Sequence, residues 1–320
     1  MATLAVASAL GILVVTALML GTVIRSGVHA PAGRRAGAWL YVAGPIFFLI
    51  GTTMALSMLL GWSSPGGFFG LIEAHVHTNV WGFLGLVVAG VLLDRVPTQT
   101  GQPLRYSRLV PAMTWLLIVR AAGLVAGPWL AFVPPLLGGI ILYMTGTGLL
   151  IVNLAGTMRA AHRWTPNLAH VLLAYVWMIV QAIIAPTYLL VTGKLPPSAI
   201  ETSAIAGMVG GWILQIVISA LPFRLGEGQK HIRDHHGWWF SVVTLNLGAL
   251  AIWTAAFAGV ASATALTVTG YVLILAGWLP PLVLVLRRLF ASPGLPPDRE
   301  ESITTLASSS APGGQPLLGH

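Results

Sequence analysis

Nine long apolar segments constrain the fold of this sequence more than any other feature. Each segment is long enough to cross a lipid bilayer, which takes roughly 20 residues of helix. Of the 320 residues, 56% are hydrophobic and only 8% are charged, whereas a soluble domain carries about 25% charged residues. We therefore predict an all-α, polytopic transmembrane helix bundle without a soluble domain. The segments lie at residues 3–24, 37–61, 67–93, 108–129, 133–157, 166–191, 201–222, 237–259 and 264–286.

The basic residues predict an orientation in the membrane. All Lys and Arg residues except Arg120 and Lys194 fall in the regions that follow odd-numbered segments. The positive-inside rule then predicts nine spans, with the N-terminus outside and the C-terminus inside. We expect one transmembrane domain at 1–290 and a disordered cytoplasmic tail at 291–320, because this tail is rich in Pro, Ser and Gly and poor in apolar residues. The expected location is the inner membrane of a prokaryote.

The composition also excludes several classes of function. The chain has no cysteine, so disulfides and thiolate metal ligands are excluded. It contains no phosphate-binding Gly motif, nucleophile triad or soluble cofactor domain. Because the topology accounts for the net charge of +8, the basic character does not indicate a nucleic-acid partner. A soluble enzyme and a nucleic-acid binder are both excluded.

Ionisable residues cluster within the third apolar segment, in the stretch "EAHVHTNVWGF" from Glu73 to Phe83. An ionisable group in the hydrocarbon region is a functional-site hypothesis by default. Residues i and i+2 of a helix point about 200° apart, so we expect His75 and His77 to face two different neighbours. Glu73 and His77 share a face, as do His75 and Asn79. This pattern suits a helix between two cofactors, or a helix that hydrogen-bonds to neighbours on both sides.

The stretch "AHVHTNVWGFLGLVVAGVLLDRVP" resembles the helix that carries the His-x-His haem ligands in the catalytic subunit of haem–copper oxidases, and most of all the C-type oxidases and nitric oxide reductases. The following "RVPTQTGQPL" is similar to the end of a helix in NnrS, a haem- and copper-containing membrane protein linked to nitric oxide. The resemblance implies that His75 ligates a high-spin haem and His77 a low-spin haem. It makes haem the expected cofactor and copper an alternative one.

The remaining histidines do not complete an oxidase-type centre. By the predicted topology they lie at or near the cytoplasmic side, and His170 is about 20 Å from His77 along the membrane normal. A five-coordinate haem, a dimer sharing haems and the loss of one cofactor all remain open, as does a methionine as axial ligand. The methionines considered are Met54 and Met58 in the second segment and Met208 in the seventh.

Two further clusters have alternative interpretations. Arg120, in the middle of the fourth segment, needs a partner; we expect a haem propionate, or Glu73 in an ion pair between helices. The loop "GEGQKHIRDHHGWW" contains His231, His235 and His236. It is either a surface metal site or, as we favour, a solvated basic loop.

Three functions follow from these observations. The first is a haem-binding membrane protein that transfers electrons or handles oxygen or nitric oxide; if it is an enzyme, it is an oxidoreductase of the haem–copper oxidase type. The second is a transporter or channel whose polar path includes Glu73, His75, His77 and Arg120. The third is a non-catalytic assembly protein of a respiratory complex. The expected partners are the lipid bilayer and either other respiratory membrane subunits or a second copy of the chain.

Overall fold

A computed structural model describes residues 2–28, 35–162, 164–192, 197–225 and 238–290, and this part of the chain is helical with no β-strand. The predicted all-α fold is thus confirmed for these residues. We number nine long helices in chain order: α1 Ala2–Val28, α2 Arg35–Leu59, α3 Gly67–Thr100, α4 Val110–Leu130, α5 Val133–Ala160, α6 Pro166–Thr192, α7 198–225, α8 Trp239–Ala255 and α9 Val260–Phe290.

Eight of these helices are long and apolar enough to cross a membrane, which indicates a multi-pass membrane protein. The exception is α8, an apolar helix of 17 residues. Nine crossings and an outside N-terminus therefore stay predictions. The expected tail at 291–320 lies outside the described residues, as do His29, His231, His235 and His236.

Two helices change locally from α to π geometry. In α3 the segment Thr78–Leu84 is a π-helix between Gly67–His77 and Gly85–Thr100. In α7 the π segment Val209–Ile213 lies between Ser198–Met208 and Leu214–Leu225. In such segments the backbone hydrogen bonds join residues five positions apart instead of four, which widens the helix. They often occur at functional sites. The first one begins directly after His77.

Small residues allow α4 and α5 to pack closely. Gly123 and Gly127 of α4 are spaced as in the Gly-x-x-x-Gly pattern of membrane helices. A Cβ atom added to Gly123 would lie 2.8 Å from the Pro135 carbonyl oxygen, and one added to Gly139 would lie 2.7 Å from the Leu124 backbone nitrogen. The backbones of α4 and α5 are therefore in direct contact here. This contact fixes the position of Leu124, which lies opposite α3.

The buried core is built from side chains of α2 through α8, and its largest fully buried members include Trp212, Arg120 and Tyr143. The chain divides into two compact units, Met1–Trp278 and Leu279–His320. The first contains α1 to α8 and the beginning of α9. Only the end of α9 is described in the second. This part begins at Leu279 and contains Pro280 and Pro281, which remove two backbone hydrogen-bond donors.

Candidate functional site

His75 is held against α2 by its own ring. Its Nδ1 atom lies 2.8 Å from the carbonyl oxygen of Gly51. Because a carbonyl oxygen only accepts hydrogen bonds, Nδ1 carries the proton and Nε2 of the neutral ring keeps a lone pair. Asn79, one turn later, donates from Nδ2 to the His75 carbonyl oxygen at 2.8 Å. The i, i+4 pair expected from the sequence is therefore formed.

His77 is held in the same way against α4. Its Nδ1 atom lies 3.0 Å from the carbonyl oxygen of Leu124, so it too is the protonated nitrogen. The prediction that His75 and His77 face different neighbours is confirmed, since one contacts α2 and the other α4. Both side chains are half-buried. Within the described part of the chain neither Nε2 atom has a hydrogen-bond partner.

Met54 lies next to this histidine segment, but its sulfur already has a neighbour. The Thr78 hydroxyl lies 3.6 Å from Met54 Sδ and also donates to the Ala74 carbonyl oxygen. Met54 is buried, Met58 packs half-buried against the same core, and Met208 is buried in the core as well. None of the three sulfur atoms is hydrogen-bonded to an imidazole in the described residues.

Arg120 is fully buried and does not pair with Glu73. Its Nε donates to the Leu117 carbonyl oxygen at 3.2 Å and its Nη1 to the Thr147 hydroxyl at 3.0 Å. Its guanidinium carbon lies 4.3 Å from the centre of the Tyr143 ring, a cation–π contact. The Nη2 atom is buried without a partner among the described residues. Glu73 is exposed and unpaired within the same part of the chain.

The guanidinium of Arg120 also lies far from the two histidines along α3. A Cβ added to Gly85 would be 3.5 Å from Nη2. Gly85 is eight residues past His77, or about 12 Å along the axis. The expected ion pair between α3 and α4 is therefore not formed with Glu73, because the carboxylate and the guanidinium lie at different depths. A haem propionate as the partner of Arg120 stays a prediction.

The two π segments meet through an aromatic cluster. The Trp81 ring stacks on Trp212 with centroids 6.2 Å apart, and it meets Tyr143 edge-on at 5.3 Å. Trp212 and Tyr143 are almost completely buried. Aromatic pairs of this geometry add roughly 0.5–1.5 kcal/mol beyond area burial. Sequence reasoning singled out Trp81 but missed Trp212, although the Gly210–Gly211–Trp212 run in an apolar segment was a usable signal.

A second polar cluster joins α6, α7 and α8. His170 Nδ1 lies 3.1 Å from Gln215 Oε1, and Asn246 Nδ2 donates to the same oxygen at 3.0 Å. Trp177 Nε1 donates to Asn246 Oδ1 at 2.8 Å. The sequence placed His170 near one end of its helix but gave it no partner. Its partner Gln215 is a neutral amide, as is the neighbouring Asn246, and neutral amides do not stand out in an apolar sequence.

This cluster is part of a longer stripe along α6, which we call the polar seam. The seam residues on α6 are spaced three, seven and four positions apart, so they share one helix face. Several of their polar atoms are buried without a partner in the described residues: both side-chain atoms of Asn167, both of Gln181, and Nε2 of His170. Such atoms are rare in proteins and costly in a membrane. The seam consists of Asn167, His170, Trp177 and Gln181 with Gln215 and Asn246.

A large cleft lies at the opposite end of α3 from the histidine pair. Its volume is about 980 Å³, and its walls come from the first turns of α2, α4 and α6 and the last turns of α3 and α7. Neither His75 nor His77 lines it. Among the described residues, no three His, Asp or Glu side chains are close enough together to hold one metal ion.

Comparison with protein-family models and with curated proteins finds no match to this chain.

Proposed function

We propose that this chain is a haem-binding protein of a prokaryotic inner membrane that resembles the catalytic subunit of haem–copper oxidases. Its work is electron transfer or the handling of oxygen or nitric oxide. His75 and His77 are the proposed axial ligands, and the partners are other respiratory membrane subunits or a second copy of the chain. Copper remains an alternative second cofactor, because the resemblance on α3 extends to copper-containing proteins.

One observation supports the proposal above all others. In both histidines Nδ1 is hydrogen-bonded to a backbone carbonyl oxygen, while Nε2 has no partner in the described residues. A metal-bound imidazole commonly has this arrangement, since the bond at one nitrogen fixes the tautomer and the ring plane and leaves the other nitrogen for the metal. The donor set present therefore fits an axial haem ligand on each of two sides of α3.

Bound haem would supply a reversible one-electron couple or a site for a diatomic gas, tuned by its axial ligand and by the dryness of its surroundings. The chain's own residues have simpler tasks. The carbonyl groups of Gly51 and Leu124 orient the rings, and Asn79 ties the His75 turn of α3 together. The apolar helices keep water away from the imidazoles.

Absorption spectroscopy of protein purified from porphyrin-replete cells tests this proposal. Wild-type protein should show a Soret band, and the His75→Ala/His77→Ala double variant should lose it. His162→Asn is the matched control, because His162 is an exposed histidine on a turn with a left-handed φ of 50° that Asn tolerates. A Soret band that survives in the double variant would refute the ligand assignment.

The same hydrogen bonds would also serve in a protein with no cofactor, where the histidines only connect helices. Hydrogen bonds between membrane helices contribute about 0.6 kcal/mol on average. The assembly-protein alternative therefore predicts only a small loss of stability in His77→Ala and wild-type function in the double variant. Haem binding predicts, in addition, the loss of a chromophore, so a spectrum and a melting curve on the same sample separate the two.

The polar seam favours a second candidate function, transport or conduction. A path through a membrane protein needs a chain of polar groups, and the seam supplies one over 15 residues of α6, from Asn167 to Gln181, or about 21 Å. Its unpartnered atoms are satisfied by water or by a polar solute. Proton or solute flux into proteoliposomes that is reduced by Gln215→Leu, in protein without a chromophore, would favour this function over haem binding.

A further inference from the structure

The cleft at the end of α3 has apolar walls and a charged mouth. Its deeper lining includes Val88, Leu92 and Val96 of α3 and Val171 of α6, all of them buried. Its mouth includes Arg95 and Arg108, both of them exposed. Since the cleft lies where apolar helices end, its mouth faces the boundary between lipid and water. The apolar inner part of the cleft therefore matches the acyl chain of a lipid, and its charged mouth matches the lipid head group.

The positive charges at the mouth are not balanced by the described part of the protein. Asp94 is the carboxylate in the lining, and it already accepts a hydrogen bond from the Tyr41 hydroxyl at 3.0 Å. The guanidinium groups of Arg95 and Arg108 form no ion pair or hydrogen bond with any described residue. Arginine binds phosphate through two parallel N–H bonds. Two such groups on different helix ends suit an anion that lies between them.

The size of the cleft distinguishes the ligand from a free ion. A volume of about 980 Å³ is at the upper end of the range for sites that hold whole organic ligands. An inorganic phosphate would leave the apolar wall unused, whereas a neutral lipid would leave both guanidinium groups without a counter-charge. Basic pockets between membrane helices are known to bind the head groups of anionic lipids.

We propose that this cleft binds one anionic phospholipid. The phosphate lies between Arg95 and Arg108, and an acyl chain lies along Leu92, Val171 and Ile216. Ser107 at the mouth has a hydroxyl group suited to the remaining head-group oxygens. The site is independent of the histidine pair, because Arg95 is 18 residues past His77, or about 27 Å along α3.

Native mass spectrometry of the delipidated full-length protein tests this site. The protein is titrated separately with phosphatidylglycerol, phosphatidylcholine and inorganic phosphate. We expect one tightly bound phosphatidylglycerol, with about tenfold weaker binding of phosphatidylcholine and no retained phosphate. Equal binding of the two lipids would overturn the proposal. Retention of inorganic phosphate as strongly as of phosphatidylglycerol would also overturn it, because the site would then bind an ion.

Matched variants locate the site. Arg95→Gln/Arg108→Gln should weaken phosphatidylglycerol binding about tenfold and leave phosphatidylcholine unchanged. Arg105→Gln is the control, since Arg105 is exposed on the same loop but does not line the cleft, and it should bind like wild type. Ile216→Trp, which fills the apolar wall, should weaken both lipids. Wild-type binding by the double variant, or an equal loss in Arg105→Gln, would refute the site; melting curves confirm that the exposed substitutions leave the fold intact.

Discussion

The contact between Gly51 of α2 and Asn79 of α3 gives the sharpest test of how the histidine segment is held. A Cβ added to Gly51 would lie 2.5 Å from Asn79 Nδ2 and 2.9 Å from its Cγ, about 1 Å closer than ordinary van der Waals contact. Gly51→Ala must therefore displace Asn79, which now donates to the His75 carbonyl oxygen, or push α2 away from α3. Overpacking of this kind costs about 1–3 kcal/mol.

Equilibrium unfolding in mixed detergent micelles measures this cost. Gly138→Ala on α5 is the control, because no atom lies within 4 Å of its added Cβ. We expect the control to be neutral or to gain up to about 1 kcal/mol, since alanine favours helix over glycine.

A double-mutant cycle identifies Asn79 as the obstacle. In Asn79→Ala the space opposite residue 51 is empty, so Gly51→Ala should cost about 1 kcal/mol less in that background than alone. If Gly51→Ala is as stable as the Gly138→Ala control, or if the two substitutions are strictly additive, the packing of α2 against α3 at His75 is not as we describe it.

Three more predictions test other parts of the structure. Because the chain has no native cysteine, a cysteine at the buried Ala174, which lies on α6 between His170 and Trp177 of the polar seam, should react with a small water-soluble thiol reagent if the seam is hydrated. The equally buried Ala89→Cys on α3 should not react, and equal labelling of both would contradict a hydrated seam. Arg120→Met should raise the free energy of unfolding of cofactor-free protein by about 1 kcal/mol or more, because it removes a buried charge that has no carboxylate partner among the described residues; a lower stability would contradict this prediction. Gly211→Ala should cost about 1–3 kcal/mol in the same unfolding assay, since its Cβ would overlap the Trp177 ring, and an unchanged unfolding midpoint would contradict this contact.

The sequence predicted well those features that depend on helix periodicity and hydropathy. The spacing of His75 and His77 alone predicts two different neighbours, and the structure confirms contacts with α2 and α4. The end of α3 was placed too early, at residue 93, because Asp94 and Arg95 end the apolar segment. The helix continues to Thr100 and stops where Gly101 adopts a left-handed φ of 66°, as is common at helix C-termini.

Partners of polar groups were harder to predict, because they depend on depth and helix rotation. The sequence showed that Arg120 needs a partner, but not that Thr147 and Tyr143 would meet it in place of Glu73. The seam was missed for a related reason. Gln215 and Asn246 are neutral and lie in strongly apolar helices, so only the packing of three helices brings them together with His170.

The most direct measurement of the central claim is the haem content of the purified wild-type protein, taken from its absorption spectrum and a pyridine haemochrome assay. Ligands on two sides of α3 predict at least one haem per chain and a Soret band that shifts on reduction. Iron-free, colourless protein from cells with ample porphyrin would contradict the assignment of His75 and His77.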